Sequence, residues 1–478
     1  MNSVDVIVIG AGPAGCMLAG EIARTGHSVV VLDKRDGVSP HSRAFAVHAR
    51  TLELLDTRGL ADDLIATGTI THTLSLWRGA SVDLSRLRTP FPYVLVTPQV
   101  HVDRALETYA RTQGARVERG VTVTGLEQDD AGVRVRAVSS DGTEQTWTAE
   151  YAVGADGVHS TVRGLLGQAF PGREVLRSMV LSDAKLDRPP TDAITVNVGG
   201  DCFAFLAPYG EGWFRVIAWD RRAHHRDDAP VELEEVRGLL QRAMGTDYGL
   251  SDIRWYSRFA CDERQVEQYR TGRVVLVGDA AHAHSPAGGQ GMNTGIQDAA
   301  NLGWKLAAAL DGAPNVLDTY QDERHPVGKM VLRTSGLTIR TMTMKPAIVR
   351  RLRQRLVSAL VRRHFVSDLV TRTFSGIGIS YARGRGDHPL VGTRVSDVRL
   401  TDGTVADALQ HPGFLLVAGR GDDRVQAPVP VVRRADDGPS ILVRPDGYIA
   451  WAGDHTSREW RTALSRWTGS TPATADAG

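Results

Sequence analysis

Val4-Asp5-Val6-Ile7-Val8-Ile9-Gly10-Ala11-Gly12-Pro13-Ala14-Gly15, at the head of a 478-residue chain, sets a β-branched run directly against a glycine-rich turn. The run reads as a buried strand, Ala14–Arg24 as a helix and Ser28–Leu32 as a second buried strand, which makes a βαβ unit. Gly10 and Gly12 permit a tight turn and the close approach of a pyrophosphate. Ala14 and Gly15 open a helix whose free N–H groups and dipole favour negative charge. Asp33 ends the second strand, 23 residues after Gly10, where a carboxylate accepts hydrogen bonds from a ribose. Taken alone, Asp33 is equally a solvated acid at a strand end. Turn, strand context and acid together favour a dinucleotide, with NAD and FAD both open at this point.

Further along the chain, Tyr151–Ala155 and Val274–Val277 are buried runs that lead into Asp156 and Asp279. They read as strands of the same parallel sheet, so the nucleotide-binding domain is expected to be discontinuous. Gly278-Asp279-Ala280-Ala281-His282 is followed by Pro286-Ala287-Gly288-Gly289-Gln290-Gly291-Met292-Asn293. From there Met292, Ile296, Ala299, Gly303, Leu306 and Leu310 keep a 4-3-4-3-4 rhythm up to the stop signals Gly312 and Pro314. This predicts a helix with an apolar stripe and a second anion-binding N-terminus, of the kind that stabilises a reduced, anionic flavin ring.

Between these segments Ala193–Val198, Phe203–Ala207 and Phe214–Trp219 have strand composition with glycine turns between them, which predicts an antiparallel sheet inserted as a second domain. The pattern is helical from Leu317 to about Phe374, and short strands punctuated by Gly and Pro run from Asp387. Arg350, Arg351, Arg353, Arg355, Arg362 and Arg363 resemble a binding stripe. Val349, Leu352, Leu356 and Ala359 form an apolar stripe beside them, so the arginines read as a solvated helix face.

Composition narrows the function classes. With 42% apolar and 23% charged residues the chain matches an ordinary folded protein. Lys+Arg 56 against Asp+Glu 55 leaves no overall field to draw in nucleic acid or an anionic membrane. Cys16, Cys202 and Cys261 are odd in number and far apart, which fits a reduced, cytoplasmic setting and gives no disulfide framework, CxxC pair or metal spacing. The N-terminal apolar stretch is short, broken by glycine and lacks a basic lead, so neither a signal peptide nor a membrane span is expected.

These segments, with Ala155-Asp156-Gly157-Val158-His159-Ser160-Thr161-Val162-Arg163, resemble the three signatures of the class A flavoprotein monooxygenases, the FAD-dependent aromatic hydroxylases. The likeness covers essentially the whole chain, including Ser42-Arg43-Ala44, Thr97-Pro98-Gln99 and Arg444-Pro445-Asp446-Gly447-Tyr448. It runs nearest to the actinobacterial hydroxylases of polycyclic polyketides and rifamycin-type antibiotics. The resemblance implies an α/β fold. A Rossmann-like FAD-binding domain (1–75, 98–175 and 267–316) would carry an inserted antiparallel β-sheet substrate domain (76–97 and 176–266). A helical segment (317–386) and a thioredoxin-like C-terminal domain (387–478) without cysteines would follow.

The resemblance also implies roles by position. Asp33 would hold the adenosine ribose, with Lys34 and Arg43 along the cofactor, Gln99 on the FAD chain and Val123 near adenine. Gly278 and Asp279 would serve the ribityl chain, and the backbone at Gly289, Gly291, Met292 and Asn293 the pyrimidine side of the isoalloxazine. Pro286 would lie beside the oxygen-reactive flavin carbon; it and Arg43 are the catalytic candidates in a flavin-centred reaction with no side-chain acid or base identified. Asp156 would serve FAD and passing NADPH, or simply cap the next helix. The family usually has Glu where this chain has Asp33, one methylene shorter. His282 and His284 read as loop polar groups rather than proton carriers.

The implied cycle is flavin reduction by NADPH or NADH, reaction with dioxygen to a flavin C4a-hydroperoxide, and hydroxylation of a phenolic or polycyclic aromatic. One GxGxxG unit means one resident dinucleotide, with NAD(P)H as a transient co-substrate. A flavin-dependent reductase of a small molecule and a non-enzymatic flavin redox sensor are the alternatives. A halogenase is disfavoured, since a WxWxIP motif is absent and no lysine lies between Lys34 and Lys185. Phe203, Phe205, Arg215 and Trp219 are the candidate substrate wall, because aromatic side chains suit a flat apolar ligand. Alternation puts Phe203 with Phe205, and Arg215 with Trp219, on one face of each strand. Arg215, within an apolar run, needs an anionic or carbonyl partner, for which a phenolate or quinone oxygen of the substrate is the candidate.

Overall fold

A computed structural model of the chain describes residues 2–39, 44–77, 80–191, 194–226, 228–344, 363–420 and 427–469. The opening βαβ unit forms as Val6–Ile9, Pro13–Ala23 and Val29–Asp33. Its strands sit in the middle of a six-stranded sheet in the order Arg270–Thr271, Val274–Leu276, Tyr151–Gly154, Val6–Ile9, Val29–Asp33, Arg116–Arg119. All neighbours are parallel except the first pair. Such strands are covered on both faces, which is why they read as unbroken apolar runs rather than alternating ones. The helix Pro13–Ala23 packs between the helices Gln99–Thr112 and Gly291–Leu310. Gly15 makes the strand–helix crossing possible, since a Cβ there would lie 1.9 Å from the Gly10 carbonyl oxygen.

The second six-stranded sheet is antiparallel, in the order Thr195–Val198, Cys202–Pro208, Trp213–Asp220, Gly172–Leu186, Leu250–Gln265, His282–Ala283. Its edge strand His282–Ala283 belongs to the segment just after Asp279, so the two sheets are stitched together beside the second glycine-rich loop. One face, with Ala204, Leu206, Val216 and Ala218, is covered by Val236, Leu239 and Leu240 of the amphipathic helix Leu233–Met244. The other, with Phe203, Ile217 and Trp219, joins the large core that includes the parallel sheet. A further four-stranded sheet, Asn2–Ser3, Glu144–Ala149, Gly132–Ser139, Val121–Asp129, was not anticipated from the sequence.

The helix predicted from the 4-3-4-3-4 rhythm spans Gly291–Leu310, but it is not amphipathic in place. Thr294, Gln297, Asp298, Asn301 and Lys305 are all buried, because its polar side meets the long helix Asp318–Met342 and the C-terminal unit instead of solvent. The hairpin Arg444–Tyr448 inserts there. Arg444 pairs with Glu323 (2.6 and 2.8 Å) and Asp446 (2.6 Å), and Asn301 donates to Asp446 (2.9 Å). The C-terminal sheet runs Val431–Arg433, Leu415–Ala418, Ser440–Val443, Ile449–Gly453, with the first pair parallel and the others antiparallel, a thioredoxin-like order. The helix Glu459–Thr468 packs on it. Most of the arginine-rich stretch after Pro346 lies outside the described residues. Among the described residues no helix is long and apolar enough to cross a membrane.

Candidate functional site

The carboxyl ends of the parallel strands gather the predicted residues. A Cβ at Gly12 would meet nothing within 4 Å, and the helix it opens has no side-chain cap, so its first N–H groups border open space. Ala14, Gly278 and Gly295 meet one another: a Cβ at Gly278 would lie 3.3 Å from the Ala14 Cβ and 3.4 Å from the Gly295 Cα. This close contact of small residues brings the starts of the two helices side by side. Asp279 is exposed in the turn Gly278–Ala280 at the end of Val274–Leu276.

Asp33 departs from the simple expectation. Its carboxylate accepts from the Ala11 N–H (2.6 Å) and from Arg35 through Nε and Nη2 (both 3.0 Å), with Arg119 at 3.5 Å. Burial pushes this carboxyl up, but the Arg35 and Ala11 hydrogen bonds outweigh it and hold the group below its usual range. Arg35 was missed by sequence reasoning. Lys34 is exposed beside it. Gln99 accepts from the Ala44 N–H (3.1 Å) and donates to Asp103 (3.3 Å), which ties the chain next to Arg43; Arg43 itself lies outside the described residues. Val123 is buried in Val121–Asp129. Asp156 caps the helix Thr161–Leu165 through one oxygen, accepting from Thr161 (2.6 Å) and Val162 (3.1 Å). Arg163 of that helix donates to the Ala280 carbonyl (2.9 Å) and so steadies the Asp279 turn.

Around the second glycine-rich loop, His48 and Asn293 form a clamp that the sequence did not suggest, its halves being 245 residues apart. The His48 ring donates from Nε2 to the Gly288 carbonyl (2.9 Å). Asn293 accepts from the His48 N–H (2.9 Å) and donates to the carbonyls of Ala46 (2.9 Å) and Gly289 (2.8 Å). Gly288 takes φ +92°, a conformation that suits glycine. Burial pushes the His48 imidazole down, which favours its neutral form. His282 donates to Asp298 (2.7 Å), which also accepts from Arg324 (2.6 Å). His284 stacks on His282 with ring centroids 5.6 Å apart and is lowered to about 3, first by burial and then by His282. A ring so hard to protonate stays a neutral imidazole near neutral pH, with one N–H and one acceptor nitrogen. Pro286 and Met292 are half-buried in the same loop.

The inserted sheet delivers its four candidates to one face. Phe203 lies opposite Trp219, Phe205 opposite Ile217 and Ala207 opposite Arg215, so Phe203, Phe205, Arg215 and Trp219 point the same way. Phe203 and Trp219 stack at 5.9 Å, and Phe205 reaches Phe45 at 5.1 Å, only three residues before His48. Arg215 corrects its prediction. It is fully buried and donates to Asp183 (2.7 Å) on the neighbouring strand, with its guanidinium 3.7 Å from the Tyr209 ring centroid. The anionic partner that the sequence suggested in a phenolate or quinone oxygen of the substrate is supplied by Asp183 of the chain itself.

FAD fits what is present. The space at Gly12 admits a phosphate, and Asp156 Oδ1, His48 Nδ1, His284 Nε2 and Gln290 Oε1 are buried at these strand ends and this loop without a partner among the described residues. Residues 3–335 match the family described as FAD binding domain, and 388–471 the one described as aromatic-ring hydroxylase, C-terminal. A rifampicin monooxygenase of Streptomyces venezuelae is 39% identical, with 98% of this chain and 99% of that one covered. The 12-dehydrotetracycline 5-monooxygenase/anhydrotetracycline 6-monooxygenase of Streptomyces rimosus is 37% identical, with 97% and 99% covered. The solved structure of the anhydrotetracycline hydroxylase OxyS from Streptomyces rimosus superposes with a TM-score of 0.87 at 35% identity, covering 98% of this chain and 100% of that one. The strand-end glycine turns, the clamped second loop and these likenesses converge: the chain belongs to the FAD-dependent aromatic-ring hydroxylases, the class A flavoprotein monooxygenases.

Proposed function

We propose that this enzyme hydroxylates a phenolic or polycyclic aromatic of the polyketide or antibiotic kind, with dioxygen and NAD(P)H as co-substrates. The observation that carries this reading is the Phe45–Phe205 contact, which joins the aromatic face of the inserted sheet to the segment that clamps the flavin loop. Phe203, Phe205 and Trp219 form the apolar wall against which a flat ring is oriented, and they keep water from it. Arg215 acts behind that wall by holding Asp183.

FAD, when bound, accepts the hydride and activates dioxygen. The N–H groups after Gly12 receive its pyrophosphate, and Asp279 its ribityl hydroxyls. Asp33 takes the ribose once Arg35, whose side chain is 42% exposed, turns off the carboxylate. Val123 and Lys34 lie on the adenosine side, and Gln99 holds the segment that leads to Arg43. The His48–Asn293 clamp fixes Pro286 to Met292 so that backbone N–H groups and the helix dipole stay aimed at the ring. No side-chain nucleophile is needed. Three unpaired cysteines suit a reducing cytoplasm.

A screen of phenolic and polycyclic compounds for stimulated NAD(P)H oxidation, with mass analysis under ¹⁸O₂, tests the reading. One ¹⁸O atom in the product supports it. A reduced product without the label supports a reductase, and bound flavin without stimulated turnover supports a redox sensor.

A further inference from the structure

Far from the flavin loop, a half-open pocket of about 140 Å³ lies between the helices Pro13–Ala23 and Gly291–Leu310 and the C-terminal unit. Its walls include Trp304, Phe414, Trp467, Ala307, Ala308 and Pro412. Trp304 meets Phe414 and Trp467 edge to face, each at 5.6 Å between ring centroids. Close-packed interiors hold few voids larger than a water molecule, and an engineered apolar cavity of about 150 Å³ accepts benzene. The size is that of one aromatic ring.

The polar groups of the wall narrow the chemistry. Glu21 is held by Arg58 and Tyr109, and Arg24 by the carbonyls of Leu409 and Gln410. Asp311 pairs with His27, while the hydroxyls of Thr25 and Thr468 donate to Ile22 and Leu464. Among the buried groups of the wall a charged ligand would therefore find no free counter-ion, and the Asp311 carboxylate, 66% exposed, stands in solvent. Trp304 differs: its Nε1–H is buried with no acceptor among the described residues. A buried donor left unpaired is costly, and an acceptor supplied by a guest removes that cost.

We propose that this cavity is a second binding site, for a neutral single-ring aromatic of the phenol class whose oxygen accepts from Trp304 Nε1. Trp304 stands 13 residues along the helix from Gly291, roughly 20 Å at about 1.5 Å per residue, so the site is separate from the reaction centre.

The probe is 4-bromophenol, soaked into crystals of the FAD-loaded enzyme and titrated in solution. The expected result is anomalous bromine density among Trp304, Phe414 and Trp467, with saturable tryptophan quenching. Ala308→Leu, which fills the space, should abolish that phase. Trp304→Phe should weaken it by about two- to tenfold, the factor that corresponds to one neutral hydrogen bond. Both variants should keep the parent flavin spectrum. Bromine found only at the flavin loop or the aromatic sheet face, the cavity filled by another part of the chain, or unchanged binding in both variants would each overturn the proposal. The soak with unaltered enzyme decides the matter even where a variant fails to fold.

Discussion

Replacing Arg215 by alanine separates two accounts of this residue. In the structure Arg215 and Asp183 are both buried, at 0% and 4% side-chain exposure, and pair at 2.7 Å across adjacent antiparallel strands. Removing one partner of a buried ion pair strands the other charge and costs about 3–5 kcal/mol. Arg254, 3.8 Å from the second Asp183 oxygen and itself 35% exposed, offers partial compensation and places the expected loss near the lower end, about 3 kcal/mol. That is a large fraction of the ~5–15 kcal/mol by which folded domains are stable. Urea unfolding of the FAD-saturated enzyme, followed by tryptophan fluorescence, measures it. The paired variant Asp183→Leu with Arg215→Met should recover most of the loss, because an apolar pair of similar volume leaves no uncompensated charge. An unfolding midpoint unchanged in Arg215→Ala, with a raised KM for the aromatic substrate, would return Arg215 to the substrate and refute the argument.

Gly12→Ala should leave the unfolding midpoint of the FAD-free protein within about 0.5 kcal/mol of the parent, since a Cβ there meets nothing, yet weaken FAD binding at least tenfold; Gly15→Ala should impair folding itself, because its Cβ would strike the Gly10 carbonyl. Asp279→Ala should cost about 1.5–3 kcal/mol of FAD affinity by equilibrium dialysis, and equal affinity would remove Asp279 from the cofactor site. Burial pushes the Glu323 carboxyl up, but Arg444 and Lys305 hold it well below its ordinary value of 4.5. Its stabilising contribution is therefore complete above that pH and is lost as pH falls further; Glu323→Gln should flatten the decline between pH 4.5 and 3, and parallel declines would count against the assignment. Burial raises the Cys16 and Cys261 thiols to about 12, so Ellman's reagent at pH 8 should reach Cys202 at most in the native enzyme.

The strand–turn–helix start and the boundaries of Gly291–Leu310 were legible because they depend on local rules: β-branched runs, glycine at fixed offsets, helix stop signals. Those same rules put Asp279 and the second loop at a strand end. What was illegible depends on partners brought in by the tertiary fold. Asp183 lies 32 residues from Arg215, Gly288 lies 240 from His48, and no periodicity links either pair. The shared face of Phe203, Phe205 and Trp219 needed the register Phe203 opposite Trp219, which alternation within single strands does not supply. Arg35, two residues after Asp33, was within reach of sequence reasoning; an arginine so close to a ribose-directed acid is a signal of local pairing as well as of a basic cofactor contact.

The buried charges on Gly291–Leu310 explain why that helix breaks the amphipathic rule without breaking the fold. An ion pair in an interior seldom stabilises more than apolar packing would, but it fixes which groups meet. Here Asp446 accepts from Asn301, its carbonyl accepts from Arg50 (2.6 Å), and the Pro445 carbonyl accepts from Arg58 (3.1 Å). Arg50 stands two residues after His48, whose ring holds Gly288. The hairpin of the C-terminal unit is thereby bonded to the helix that begins at the flavin loop and to the segment that clamps it. No cysteine follows Cys261, so thiol–disulfide exchange has no reactant in this unit. Its contribution in this structure is geometric: it holds the back of the loop that we propose receives the flavin.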